Sequence, residues 1–352
     1  MKKLISRLKP YLRWMILGAT LFFLVSALIQ NWQEVSSIEI NRGGWILLIF
    51  SLIVTIIAHV WSGGVWLLTL REFKQPIQNR WGLQVYLRTN LAKYLPGNVW
   101  HFYSRIMVVH QAGVSIGAAT LSVLLEPLLM ASAALLVALV NAQQNHLGLQ
   151  LISLAVVLIG VHPRILNPVI RRFRKMKLKG QDPSLVNAPG FSIDHYPLKP
   201  FLGQIGFVGL RSTGFILAVL ALTPVEWQQL PVLLSAFSLA WLLGLVIPGA
   251  PGGLGVFEAT TISLLDQQFS PGILLSAVAF YRLVSVLAEA SSALYAELDK
   301  RFFSNRLPQN HLMFEPLHSH DTQTTYSHDI QTTYSHDIQT TVSEEKLIHL
   351  RK

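Results

Sequence analysis

Glu258 follows a stretch from Trp227 to Phe257 that holds no Asp, Glu, Lys or Arg and is interrupted by Pro248-Gly249-Ala250-Pro251-Gly252-Gly253-Leu254-Gly255. Proline removes amide donors and glycine favours irregular backbone, and in a bilayer such chain is tolerated only where protein buries it or it lines a polar cavity. The amides of Gly252, Gly253 and Gly255, at the positive end of the helix they open, suit an anion. Guanidinium groups bind phosphate bidentately, so Arg105 and Arg282 are candidate partners for it. Glu126 and Glu258 would balance the charge, with Glu258 orienting Arg105 or Arg282. The chemistry is recognition of a phosphate rather than bond making. The glycine cluster lacks the Lys-Ser/Thr of a nucleotide loop and the spacing of a dinucleotide fingerprint, and close helix packing is its alternative reading.

Arg88, Lys93, Arg211 and Glu289 complete the ionisable residues placed inside apolar runs. Such groups are costly at membrane depth and face a bundle interior or an aqueous path. Glu126 precedes Pro127, so it reads either as a ligand for a cation or proton or as half of a structural ion pair. Arg88 and Lys93 read equally as phosphate ligands or as anchors that snorkel to head groups. Trp100, His101, Phe102 and Tyr103 match an interfacial aromatic belt as well as a cavity lining, with the belt preferred. His59 reads as a packing histidine, and Gly63-Gly64 as a possible dimer face.

Catalytic arrangements are missing from this pattern. There is no Ser-His-Asp order with a nucleophile elbow, no metal-ligand cluster in the apolar runs, and no stretch able to hold a nucleotide. No catalytic residue, metal or cofactor is therefore assigned. With no cysteine, thiolate chemistry and disulfides are excluded.

The elements that must position these residues are membrane helices. The chain is 51% hydrophobic and 13% charged over 352 residues, with a mean hydropathy of +0.44. Runs near the roughly 20 residues needed to cross a bilayer fall at 12–30, 45–70, 114–140, 147–166, 200–222 and 271–297. Two more apolar segments, 81–112 and 230–265, are broken by Pro-Gly, at Pro96-Gly97 and at Pro248-Gly249 with Pro251. Treating both as re-entrant puts 19 basic residues of the segments 1–13, 71–80, 162–199 and 298–306 on one side, against Arg42 on the other. That asymmetry predicts six crossings with both termini cytoplasmic, and it accounts for the net charge of +10 without nucleic acid. The basic residues Arg171, Arg172, Arg174, Lys175, Lys177 and Lys179 would face anionic lipid or a protein partner.

The predicted fold is thus an all-α polytopic membrane protein of six transmembrane helices and two re-entrant Pro-Gly-broken helix pairs, over residues 1–306. Each half reads span, span, broken segment, span, once from each side, which is the pattern of an inverted repeat around a midplane site. The basic N-terminus before Trp14 resembles a secretory signal, with Val25-Ser26-Ala27 as a cleavage site, but the repeated downstream spans favour an uncleaved first helix. Residues 307–352 read as a disordered cytoplasmic tail, with an eight-residue repeat at Ser319–Tyr326, Ser327–Tyr334 and Ser335–Val342. Its recurring His-Asp pairs have no preformed metal geometry.

Tyr94-Leu95-Pro96-Gly97, Arg105, Gly113, Ser115 and Glu126, followed by Pro251-Gly252-Gly253-Leu254-Gly255-Val256-Phe257-Glu258 and Tyr281-Arg282, resemble the membrane region of the lysylphosphatidylglycerol synthase/flippase family. The resemblance spans residues 10–305. It implies a protein that moves a phospholipid or lipid-linked head group between leaflets of the plasma (inner) membrane. The family's cytosolic aminoacyltransferase domain has no counterpart in the sequence, so the implied role is the flippase-like half and not an enzyme. Asn98 and Pro127 stand where family members often carry an acidic residue and an Arg, which leaves lipid-linked sugars open as cargo. Two other function classes fit the same sequence. One is a non-transporting scaffold for a cytosolic lipid synthase or glycosyltransferase, and the other an intramembrane lipid-modifying enzyme.

Overall fold

The computed structural model describes residues 32–75, 77–94, 99–141, 144–168, 195–247 and 255–303, with Ile29, Ile193 and Gly253. Outside the described residues lie the expected span at 12–30 except Ile29, the tail 307–352, the basic residues 171–179, and Pro96, Gly97, Pro248, Gly249, Pro251 and Gly252.

Helices make up all the regular structure among the described residues. They are α1 (Trp32–Ser37), α2 (Arg42–Glu72), α3 (Asn79–Asn90) with a 3₁₀ turn at Leu91–Tyr94, and α4 (Trp100–Gln111). There follow α5 (Ile116–Ala138), α6 (Gln144–Val161), α7 (Leu198–Leu220), α8 (Leu230–Val246), α9 (Val256–Leu265) and α10 (Pro271–Phe303). Local chemistry sets several ends. The Asn41 side chain accepts the Gly44 amide at 2.7 Å to cap α2, and Ser115 caps α5 by accepting the Ala118 amide at 3.3 Å. Gly113, at φ 94°, turns the chain out of α4, a conformation that glycine enters without steric cost.

Among the described residues five helices are long and apolar enough to cross a membrane: Arg42–Glu72, Ile116–Asn141, Leu198–Leu220, Trp227–Val246 and Pro271–Arg301. Four of them are the spans expected at 45–70, 114–140, 200–222 and 271–297. The other two points differ from expectation. At 147–166 the apolar helix covers only Leu147–Val161 and gives way to a bend at His162, because Pro163 carries no amide to continue the ladder. The first arm of the second broken segment, Trp227–Val246, is itself of crossing length, so the two broken segments are unequal. In the first, both arms are 12 residues, about 18 Å each, and neither crosses alone.

In both broken segments the two arms pack against each other, α3 on α4 and α8 on α9. Gly253 explains how the second hairpin closes. Its φ is +74°, and a Cβ there would stand 3.1 Å from the Cα and carbonyl oxygen of Gly244 on α8. Two glycines thus let the returning chain touch its own first arm.

The hairpins sit against a pair of closely packed spans, α2 and α7. A Cβ on Gly203 would meet Val65 Cγ2 at 2.6 Å, and one on Gly214 would meet Thr55 Oγ1 at 2.7 Å. At this approach Ser51 Oγ donates to the Gly214 carbonyl at 2.6 Å, and Trp61 Nε1 to that of Gly203 at 2.7 Å. Such bonds contribute about 0.6 kcal/mol each between membrane helices. Gly63, read from sequence as part of a dimer face, packs inside the chain against Leu83 and Tyr86.

Candidate phosphate-binding cavity

Buried polar residues fall on stripes of otherwise apolar helices. On α2 they are Ser51, Thr55, His59 and Ser62, and on α10 Ser285, Glu289 and Ser292, at spacings that keep one face. His59, Ser285 and Glu289 of these stripes, with both hairpins, border one cavity of about 220 Å³. Tyr94 and His101 bring the residues flanking the first break to its wall, and Gly244, Leu245 and Gly253 those flanking the second. Phe102, Met130, Phe207, Trp241 and Phe257 supply an apolar side.

Arg105 is 1% exposed and lies on the α4 arm. Its Nη1 donates to Glu126 Oε2 at 2.5 Å, and its guanidinium stacks 4.0 Å from the Tyr86 ring centroid. Tyr86 donates to the other oxygen of Glu126 at 2.5 Å and lies 2.7 Å from Ser62 Oγ. Glu126 is therefore satisfied at both oxygens, in the ion-pair geometry that sequence reading held as one of its two options. Pro127 follows it within α5 and leaves the Val123 carbonyl without its usual helical donor.

Across the cavity the same device recurs with the signs exchanged. Glu258, on the second arm of the second hairpin, accepts from Arg282 Nε at 2.7 Å, Arg282 being on the following span α10. In the first half the second arm carries the Arg and the following span the Glu. Arg282 also donates to the Gly253 carbonyl at 3.2 Å. The Gly255 amide donates to Glu258 Oε2 at 2.5 Å, closing the first turn of α9. That amide is therefore directed at Glu258 and not at the cavity, where the anion nest expected from sequence would have turned it. Glu258 itself stands behind Arg282. Of the sequence-predicted residues, Arg105, Glu126, Gly253 and Arg282 border the cavity, and Gly255 and Glu258 support it from outside.

A third ion pair joins the two halves. Lys93, at the end of the first arm, lies 2.6 Å from Glu289 Oε1 on α10, and His59 Nε2 approaches the same oxygen at 3.4 Å. Below it along α10, Arg88 pairs with Glu297 at 2.9 Å, and Arg80 and Gln84 bond Asp299. Lys93 and Arg88 thus act as ion-pair partners of α10.

Arg211 on α7 is the group that sequence reasoning underrated. It is 7% exposed and borders the cavity, and its Nη2 reaches only Ser285 Oγ, at 3.3 Å. Its Nε and Nη1 have no hydrogen-bond partner, and it forms no ion pair among the described residues. Tyr281 supports it, with its ring centroid 5.2 Å from the guanidinium and its hydroxyl donating to the Arg211 carbonyl at 3.1 Å. Among the described residues Lys93, Arg105 and Arg282 are each ion-paired to a carboxylate and Arg211 is not, so these four cations outnumber the three paired carboxylates by one, and two donors of Arg211 are unused. A buried cation with donors unused is costly, and an anion is what would satisfy it, bidentately where Nη2 contributes its second hydrogen beside Nε or Nη1.

No group of three or more metal-ligating side chains occurs among the described residues. Compared with known proteins, the chain matches no family model and no curated sequence.

Proposed function

We propose that this multi-pass membrane protein takes the phosphate of a phospholipid or lipid-linked head group into the cavity between its two hairpins and moves it between leaflets, as a flippase-like transporter. The observation that carries the reading is Arg211: a buried guanidinium with two free donors, beside three cations that are already paired. A phosphodiester supplies one negative charge and two unesterified oxygens, which neutralises the cavity and can accept in parallel from the second Nη2 hydrogen together with either Nε or Nη1. The apolar wall of Phe102, Met130, Phe207 and Trp241 suits the glycerol or acyl ester region next to that phosphate. Hairpins of broken helix facing each other across such a site fit the architecture of transporters built from inverted halves, and the exchanged Arg105–Glu126 and Glu258–Arg282 pairs add a second correspondence between the halves. The resemblance to the membrane region of the lysylphosphatidylglycerol synthase/flippase family points the same way and remains part of the proposal.

The test is reconstitution in liposomes with a leaflet-sided probe of head-group exposure. Wild-type protein should move an anionic phospholipid across the bilayer, and Arg211→Gln, folded and inserted, should not. Equal movement by both would contradict the reading.

A further inference from the structure

Glu289 sits where three elements meet. Lys93 from the first hairpin and His59 from α2 converge on its Oε1, at 2.6 and 3.4 Å. Arg211 from α7 and the Tyr94 hydroxyl face the same carboxylate, and Arg282 lies two turns away on its own helix. His59 is itself faced by Glu289, Arg211 and Lys93, and its Nε2 has no hydrogen-bond partner. Both His59 and Glu289 are buried and border the cavity that holds Arg211.

Lys93 and His59 thus share one oxygen of Glu289, whose Oε2 has no hydrogen-bond partner. With neutral imidazole and ionised carboxylate, Lys93 is held by Glu289 and is not available to a ligand. A proton added to the pair changes this wherever it resides. On Glu289 it removes the charge that holds the ammonium, and on His59 it creates a second cation at the same oxygen. Either way the hold of Glu289 on Lys93 weakens, on the side of the cavity where Arg211 already has two unused donors.

We propose that the His59–Glu289 pair is a proton-binding site, and that one proton there frees Lys93 to join Arg211 in holding a monoanionic lipid phosphodiester. The inference rests on the phosphate reading of the cavity and adds a coupled ligand to it. The proton is taken up by the pair, no bond of the lipid changes, and the ammonium exchanges a carboxylate oxygen for a phosphate oxygen. Head-group binding is then tighter on the acidic side of a membrane than on the alkaline side, so a pH gradient can drive net lipid movement.

Binding of phosphatidylglycerol to the purified full chain in neutral-lipid nanodiscs, at about pH 5 and about pH 8, tests it, because the ligand's phosphodiester stays monoanionic over that range. Wild type should bind about tenfold more tightly at the acidic end, the worth of one charge-assisted hydrogen bond. Glu289→Gln, a fixed mimic of the protonated carboxyl, should bind tightly at both, and Lys93→Met weakly at both. His59→Gln should retain the dependence at lower pH, since Glu289 alone must then take the proton. Weaker binding by Glu289→Gln, as for a merely structural ion pair, would overturn the proposal. Should that variant not purify as a folded species, Lys93→Met decides, because a pH dependence that survives in it overturns the proposal equally. Binding that is abolished by Arg211→Gln but pH-independent in wild type would refute the proton site and leave the phosphate reading standing. Absence of binding at any pH would refute both.

Discussion

Glu258 accepts from Arg282 at 2.7 Å, and Arg105 donates to Glu126 at 2.5 Å, so the second half of the molecule repeats the ion pair of the first with donor and acceptor exchanged between arm and span. The chemical consequence is that neither pair offers the cavity a net charge. The cation left over, Arg211, is on α7 and belongs to neither pair. Functional and structural guanidiniums are thus separable by mutation.

Arg105 should behave as a structural residue. Arg105→Ala leaves Glu126 buried and uncompensated, and should lower stability by about 3 kcal/mol or more. Exchanging the partners, Arg105→Glu with Glu126→Arg, should recover part of the loss. Thermal unfolding in detergent reads both, and an Arg105→Ala variant as stable as wild type would show that the pair does not hold α4 to α5.

Arg211 should do the opposite. Its buried charge has no partner among the described residues, so Arg211→Gln removes a desolvated cation and should leave the melting temperature unchanged or raised, while head-group binding is lost. A variant that melts much earlier than wild type would assign Arg211 a structural partner instead of a ligand.

Gly253→Ala forces an alanine into φ +74° and a Cβ to 3.1 Å from Gly244. The second hairpin should be destabilised by about 1 to 3 kcal/mol. Gly64→Ala is the control, because nothing lies within 4 Å of its Cβ position and the site is helical. It should be neutral or stabilising by about 0.5 kcal/mol. Comparison of the two melting curves checks the close crossing of the hairpin arms.

Arg88 and Glu297 are 39% and 35% exposed at the side chain, so their pair is less buried than the pairs at the cavity. Arg88→Ala should cost less than about 1 kcal/mol and leave lipid movement intact, whereas Lys93→Met changes the cavity itself. Loss of transport in Arg88→Ala would require the outer rungs of the α3–α10 contact to take part in function.

Much of this arrangement is legible in the sequence, for a physical reason: a charge inside an apolar run has to face protein or water. That rule picks out Arg105, Glu126, Glu258 and Arg282, and also Lys93, Arg211 and Glu289. It cannot say who pairs with whom. Arg211 and Arg105 look alike as isolated letters, and only the packing of α4 on α5 gives one of them a carboxylate. His59 illustrates a signal that was available and passed over. Ser51, Thr55, His59 and Ser62 recur at helical spacing along α2, and such a polar stripe in an apolar helix marks a face turned to other polar groups rather than to packing. The unequal hairpins were less accessible, since the same run of apolar residues serves a re-entrant arm and a crossing helix, and length alone separates them.

The most direct test of the central claim is an experimentally determined structure of the chain in nanodiscs containing phosphatidylglycerol. A head-group phosphate is expected in the cavity between the hairpins, bonded by the Arg211 guanidinium through Nε or Nη1 with Nη2, with Arg105 still on Glu126 and Arg282 still on Glu258. A cavity filled by water alone, with the Arg211 guanidinium turned to a protein carboxylate and lipid only on the outer surface, would contradict it.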